Sequence, residues 1–221
     1  VRAKRCALGN LNASVATTLY TRSLIYWSHP ELKYQLKAPA KFNDALAILD
    51  TAFLGADPLS CPVSLHPKNP YFISVLLANK AEVLGLLYSR TKDCKYLEAQ
   101  HIHNRARLIL WDYILASFST KDIGSVIAIW NHEPFEEAIA TAYAMAEVNG
   151  DETYLNEIYE IAEKGKNNVA TQLLIQKGII KTGQPKVSSY SIPLADLQEK
   201  IPAETVFIEF VQAPVSRYLT S

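Results

Sequence analysis

Apolar positions recur at helical spacing along most of the chain. Over residues 11–28 they fall at Leu11, Val15, Leu19, Leu24, Ile25 and Trp27, and the His29-Pro30 step ends the pattern. Residues 39–54 place Phe42, Ala45, Leu46, Leu49 and Phe53 on one stripe. From 55 to 70 the chain holds Pro58, Pro62, Pro67 and Pro70, so this stretch is expected to be a long loop. Residues 71–90 are apolar almost all round, the pattern of a helix sandwiched between neighbours. After a turn at Thr91-Lys92-Asp93, a long helix is expected over 95–118, with Leu97, Ile102, Ala106, Ile109, Tyr113 and Phe118 as core candidates. A short helix is expected near 123–130.

Asn131-His132-Glu133-Pro134 carries a capping residue, an early acid and a first-turn proline, and so opens a helix over 134–148. Its stripe is Phe135, Ala138, Ile139, Ala142 and Ala146. Asn149-Gly150-Asp151 turns the chain into a further helix over 152–176, with acids early and Lys177 at its end, as the helix dipole prefers. Gly178, Gly183, Pro185, Ser188 and Ser189 mark a linker, and Ser191 can cap a short helix that runs to about Lys200. Residues 205–211 then read as a buried strand: Val206, Ile208 and Phe210 face one way, Phe207 and Val211 the other. Nothing else in the chain offers this strand a partner.

A repeat runs through this pattern. Asp93, Tyr96 and Leu97 recur as Asp151, Tyr154 and Leu155, 58 residues on, each time between a first helix and a longer second helix. A helix–turn–helix unit cannot bury its own apolar face, so repetition implies stacking. Leu84-Gly85-x-x-Tyr88 before Lys92-Asp93 matches the first-helix spacing of tetratricopeptide (TPR) repeats. Ala99, His103 and Ala106 then follow as small, large and small residues, with a two-residue insertion and a histidine where the repeat usually has an aromatic. Gly85 is expected to let the paired helix come close. The fold class expected is all-α: a TPR-like helical-hairpin stack (α-solenoid) over 1–177, with hairpins at about 11–54, 71–118 and 134–176. A short linker, a helix and an isolated β-strand follow over 178–221.

Composition changes this picture little. The 221 residues are 49% hydrophobic and 20% charged, which suits a packed chain, and the net charge is +0, so no global field draws it to nucleic acid or to an anionic membrane. No run of 18 apolar residues is present, and Gly9, Asn10, Asn12 and Ser14 interrupt a signal-peptide core. Val1 in place of Met is read as the start of a trimmed or processed chain. Cys6, Cys61 and Cys94 give neither zinc spacing nor a disulfide framework, and are read as reduced thiols of a cytoplasmic protein.

The candidate chemistry is sparse. His101 and His103 stand about 200° apart on a helix, so they are expected to be surface or packed histidines and not metal ligands. Residues 133–163 hold nine acids and no Lys or Arg, while 164–186 hold five Lys and no acid. Solvated helix faces are the favoured reading of these runs, and docking surfaces the alternative. No phosphate-loop, nucleophile-elbow or zinc-protease motif is present. If the hairpins stack as TPR repeats do, their first helices line a concave face. That face would carry Asn79, Glu82, Leu86, Ser89 and Arg90 in the second hairpin, and Glu137, Ala140, Ala144 and Glu147 in the third. Asn79 and Arg90 could hold a peptide backbone or carboxylate. Coverage of some of these residues by neighbouring helices is the competing reading. No metal or cofactor is expected.

Residues 69–211 resemble the junction of bacterial CHAT-domain proteins, where TPR-like repeats precede a caspase-like domain. The resemblance rests on Lys80-Ala81-Glu82-Val83-Leu84 leading to Leu97-Glu98-Ala99. It continues in Tyr154-Leu155 with Ile161-Ala162-Glu163-Lys164-Gly165-Lys166, then in Leu194-Ala195-Asp196-Leu197-Gln198, Pro202 and the strand from Thr205 to Val211. The family commonly has A-E-K-S-K where this chain has Gly165. The resemblance implies the regulatory or docking arm of a cysteine peptidase, cut just inside the caspase-like domain. It carries over no catalytic residue, since none of the three cysteines matches the family's catalytic motif. The function expected is a non-catalytic scaffold for a protein or peptide ligand; the 205–211 strand is expected either to pair with the same segment of a second copy, the favoured outcome, or to lay its apolar face on the helical stack. The alternative is a hydrolase with an unrecognised pocket.

Overall fold

The computed structural model describes residues 2–49, 53, 57–61, 69–117, 133–176, 194–202 and 204–205, with side chains described at all of these except 2–13, 112, 115–117 and 167–176. Every regular element among the described residues is a helix. They are α1 (Arg2–Ser28), α2 (Leu32–Gln35), α3 (Ala38–Leu49), α4 (Pro70–Thr91), α5 (Cys94–Ser117), α6 (Glu133–Asn149), α7 (Thr153–Gln176) and α8 (Leu194–Lys200). The helix expected near 123–130, the linker over 178–193 and all of the expected strand beyond Thr205 lie outside the described residues, as do the homodimer seam and the domain boundary expected at 177/178.

The helix ends follow local chemistry. Asn69 caps α4 by accepting from the Phe72 N–H, with Pro70 at the first helical position where its missing N–H costs nothing. Two features depart from expectation. α1 starts at Arg2, running through Gly9 and Asn10. The one-turn α2 fills the stretch after His29-Pro30, where Gln35 donates to the His29 carbonyl at 2.8 Å.

The chain divides into two compact units, Val1–Trp111 and Asp112–Ser221, with the division inside α5. In the first unit α1 packs on α3, and α3 on α4. Ala38, Phe42, Ala45 and Leu46 of α3 meet Ile73, Leu76, Leu77, Val83 and Leu87 of α4 and Leu110 of α5. Each such leucine or phenylalanine contributes about 1.5–3 kcal/mol when fully buried. Tyr20 of α1 joins this core, its ring centroid 6.1 Å from Phe42 and 6.5 Å from Phe72. α4 is the one described helix long and apolar enough to cross a membrane, but just over half of it is buried inside the protein. That burial is what a core helix shows. In the second unit α6 packs on α7, and α7 on α8. Phe135, Ala138, Ile139, Ala142 and Met145 form the buried face of α6, and Ile161 and Ala162 that of α7.

The repeated segments form the same turn. In the first copy Lys92 takes a left-handed conformation (φ 56°) and its N–H donates to Tyr88 O at 2.7 Å. In the second, Gly150 (φ +65°) donates to Ala146 O at 2.8 Å. Asp93 Oδ1 then accepts from the Lys95 N–H at 3.2 Å, and Asp151 Oδ1 from the Thr153 N–H at 2.9 Å. These are matching helix ends and starts, 58 residues apart. Tyr96 and Tyr154 are both half-buried. The leucines differ: Leu97 is fully buried, whereas Leu155, expected to be buried, is 48% exposed. No described element covers that face of α7, so the same turn serves a covered face once and an open one the second time.

Each hairpin has a glycine at a close approach, on the first helix at Gly85 and on the second at Gly165. A Cβ on Gly85 would lie 2.7 Å from Gln100 Nε2 of α5, and a Cβ on Gly165 would lie 3.3 Å from Phe135 Cδ1 of α6. Gly165 therefore stands where the paired helix leaves little room for a side chain. Gly85→Leu should lower stability by about 1–3 kcal/mol, by overpacking against the buried Gln100. Gly85→Ala should cost less, since the atoms it meets are the end of a movable side chain. Thermal melts of both variants check this; unchanged or raised stability for Gly85→Leu would contradict it.

Candidate functional site

The apolar stripe of α4 that enters the core runs Ile73, Leu77, Lys80, Leu84, Leu87. Lys80 occupies the middle of it and is 0% exposed. A buried amine needs hydrogen-bond acceptors. Its Nζ donates to Asn43 Oδ1 of α3 at 2.5 Å and to the Ser60 carbonyl at 2.6 Å. Asn43 Nδ2 in turn donates to the Asp57 carbonyl at 2.7 Å. The turn at 57–61 is closed on itself: the Ser60 N–H and Oγ donate to Asp57 O, at 3.0 and 2.7 Å, and the Leu59 N–H donates to Asp57 Oδ1 at 3.0 Å. Lys80 and Asn43 thus hold a proline-containing turn against two helices.

His103 of α5, also 0% exposed, completes the cluster. Its Nδ1 lies 2.6 Å from the Ala99 carbonyl. A carbonyl only accepts, so Nδ1 carries the proton and Nε2 presents a lone pair. Nε2 has no hydrogen-bond partner among the described residues, although the Ser60 carbonyl lies close enough to favour its protonation.

Burial dominates the electrostatics. It holds the Lys80 amine down to about 7, opposed by the nearby Cys61 and Asp57. It pushes the Cys61 thiol up to about 12, opposed by the Lys80 ammonium. It holds His103 down to about 3, helped by Lys80 and opposed by the carbonyls of Ala99 and Ser60. At neutral pH the cluster therefore holds a neutral imidazole, a thiol and a lysine near the midpoint of its titration. Such perturbed groups are found at functional sites and also in packed cores. Here Lys80 and His103 have no surface open to solvent, so the folded arrangement offers them to no substrate.

The residues expected to line a binding face lie elsewhere. Asn79, Leu86 and Ser89 are half-buried, and Glu82 and Arg90 exposed, on the one stripe of α4 that its neighbours leave partly open. Asn79 Nδ2 donates to the Val75 carbonyl and Ser89 Oγ to the Leu86 carbonyl, both within α4. Arg90 Nη1 donates to Gln35 Oε1 at 2.7 Å. In α6, Glu147 is exposed and Glu137 half-buried, and Ala140 and Ala144 are buried. His101 and His103 are both packed.

No protein-family model matches the chain, and neither a curated protein nor a solved structure matches it.

The Lys80 cluster fixes the sign of a pH dependence. The folded amine titrates below its ordinary 10.5, so between about 7 and 10.5 the unfolded chain binds the extra proton. Stability then rises with pH from about 7 to about 9, by about 1.5 kcal/mol between pH 7 and pH 8.5, and above about 9 the raised Cys61 thiol offsets the rise. Urea midpoints at the two pH values check this. Lys80→Met should remove the slope, and a slope that persists in the variant would contradict the assignment.

Proposed function

We propose that this chain is a protein-interaction module of TPR-like helical hairpins, non-catalytic in itself, and that it binds an extended peptide along α4. The observation that carries the reading is the open stripe of α4. It presents Glu82, Leu86 and Arg90 beside Asn79 and Ser89 on a helix whose other faces are buried. That mixture of an apolar anchor, both signs of charge and short polar groups suits an extended peptide. The matching turns of the two hairpins further support a repeat architecture. On this reading the resemblance to CHAT-type proteins makes the chain the docking arm of a cytoplasmic caspase-like protein, with a protein ligand and no cofactor.

A second reading, an enzyme, draws on the shifted lysine and histidine. It requires the turn at 57–61 to move aside first, because both groups are sealed.

Peptides selected from a random display library against the whole chain should compete with one another for one site. Glu82→Lys and Leu86→Glu, both at partly open positions, should change stability by roughly 0.5 kcal/mol or less and weaken those peptides at least about tenfold. Selection that yields no ligand, or ligands indifferent to both substitutions, would contradict the reading.

A further inference from the structure

The Lys80 site is shaped for one protonation state. An uncharged amine has two N–H donors, and the site supplies two acceptors, Asn43 Oδ1 and the Ser60 carbonyl. An ammonium has a third N–H, for which no acceptor stands among the described residues. Nor does it gain an ion pair. Asp57 acts on Lys80 through space without reaching salt-bridge distance. Cys61 is held as a thiol and His103 as a neutral imidazole. The groups facing Nζ are thus the Asn43 amide from α3, Asp57, Ser60 and Cys61 from the turn, and His103 from α5. Of the three protein parts around the amine, the helices are joined through the core, and the turn at 57–61 is joined to them by the Lys80 and Asn43 hydrogen bonds and by Cys61, which packs against the core. With Nζ fully buried and the Asp57 carboxylate short of salt-bridge distance, a charge there gains hydration when that turn gives way.

We propose that Lys80 is a proton-operated latch on the turn at 57–61: the uncharged amine ties the turn to α3 and α4, and the ammonium releases it. Release hydrates the lysine and opens Cys61, half-buried while the turn is closed, more fully to solvent. The latch does not depend on the peptide-binding reading, since it involves none of the residues on the open stripe of α4.

The sign follows from linkage. In the released state Lys80 recovers its ordinary titration near 10.5, so protons favour release as pH falls from there to about 7, and the effect levels off below. Between pH 8.5 and pH 6 the released fraction should grow roughly thirtyfold.

The test uses the full chain with Cys6→Ser and Cys94→Ser, so that Cys61 is the single thiol. Its alkylation by iodoacetamide is timed at each pH, and divided by the rate for the same protein in concentrated urea. The division removes the intrinsic pH dependence of thiolate formation. Direct reaction through the closed site would give a ratio that is flat with pH below about 8.5, because both thiols then ionise in proportion to hydroxide. The expected result is protection that falls about thirtyfold from pH 8.5 to pH 6, at a level of opening well above global unfolding measured in urea. Lys80→Met should make the ratio flat. Four results would overturn the latch: a flat ratio in the parent protein, protection equal to global unfolding, a change confined to pH below about 6.5 (which would assign the titration to His103), or a slope that survives in Lys80→Met. The parent profile decides even where the variant does not fold.

Discussion

A lysine in the middle of a buried apolar stripe constrains everything around it. Its amine cannot stay unbonded, because an unsatisfied buried donor costs about 1–3 kcal/mol. It cannot stay fully charged without a partner either. The chain answers with two neutral acceptors, one from α3 and one from the backbone of a turn that would otherwise cross the surface. Asn43 can serve because its amide faces both ways, accepting from Lys80 and donating to the Asp57 carbonyl. The first unit is therefore assembled by two kinds of force at once. Apolar side chains press α3, α4 and α5 together without direction, and the Lys80–Asn43 pair sets where the loop between α3 and α4 returns. Cys61 and His103 take their character from the same place, since burial raises one and lowers the other.

The two hairpins show how one local code adapts to different surroundings. In both, a left-handed residue ends the first helix and the aspartate directly after it starts the second. These are short-range requirements, met within a few residues, and so the repeat reproduces them faithfully. Burial of the leucine that follows is a long-range requirement, and it is met at Leu97 and not at Leu155.

That contrast also explains what was legible in the sequence. The long helices were readable from apolar spacing and capping residues, most ends agreeing within about two residues, because those signals are local. Gly85 was readable as a close approach, and Gly165 was noted as a departure from a family pattern without its packing reason. α2 was not readable, since four residues after a proline carry no periodicity. Ala140 and Ala144 were placed on a concave face by analogy with a repeat, whereas small residues on a helix equally mark a tight neighbour. The Lys80 cluster was missed as a site. Its signal was present: a single cation at 80 interrupts the stripe of Ile73, Leu77, Leu84 and Leu87, and a cation there must find acceptors. Which acceptors could not be read, because Asn43 and Ser60 lie 37 and 20 residues away.

The packing of the first unit depends on the charge state of Lys80, at the centre of the buried stripe of α4. The most direct measurement is the titration of the Lys80 side-chain nitrogen by NMR on protein carrying labelled lysine, with the signal assigned by its loss in Lys80→Met. The account predicts a midpoint near 7, far from the other lysines. A Lys80 signal that titrates with the others near 10.5 would contradict it, and would mean that the amine is hydrated in solution and that the turn at 57–61 is not held by it.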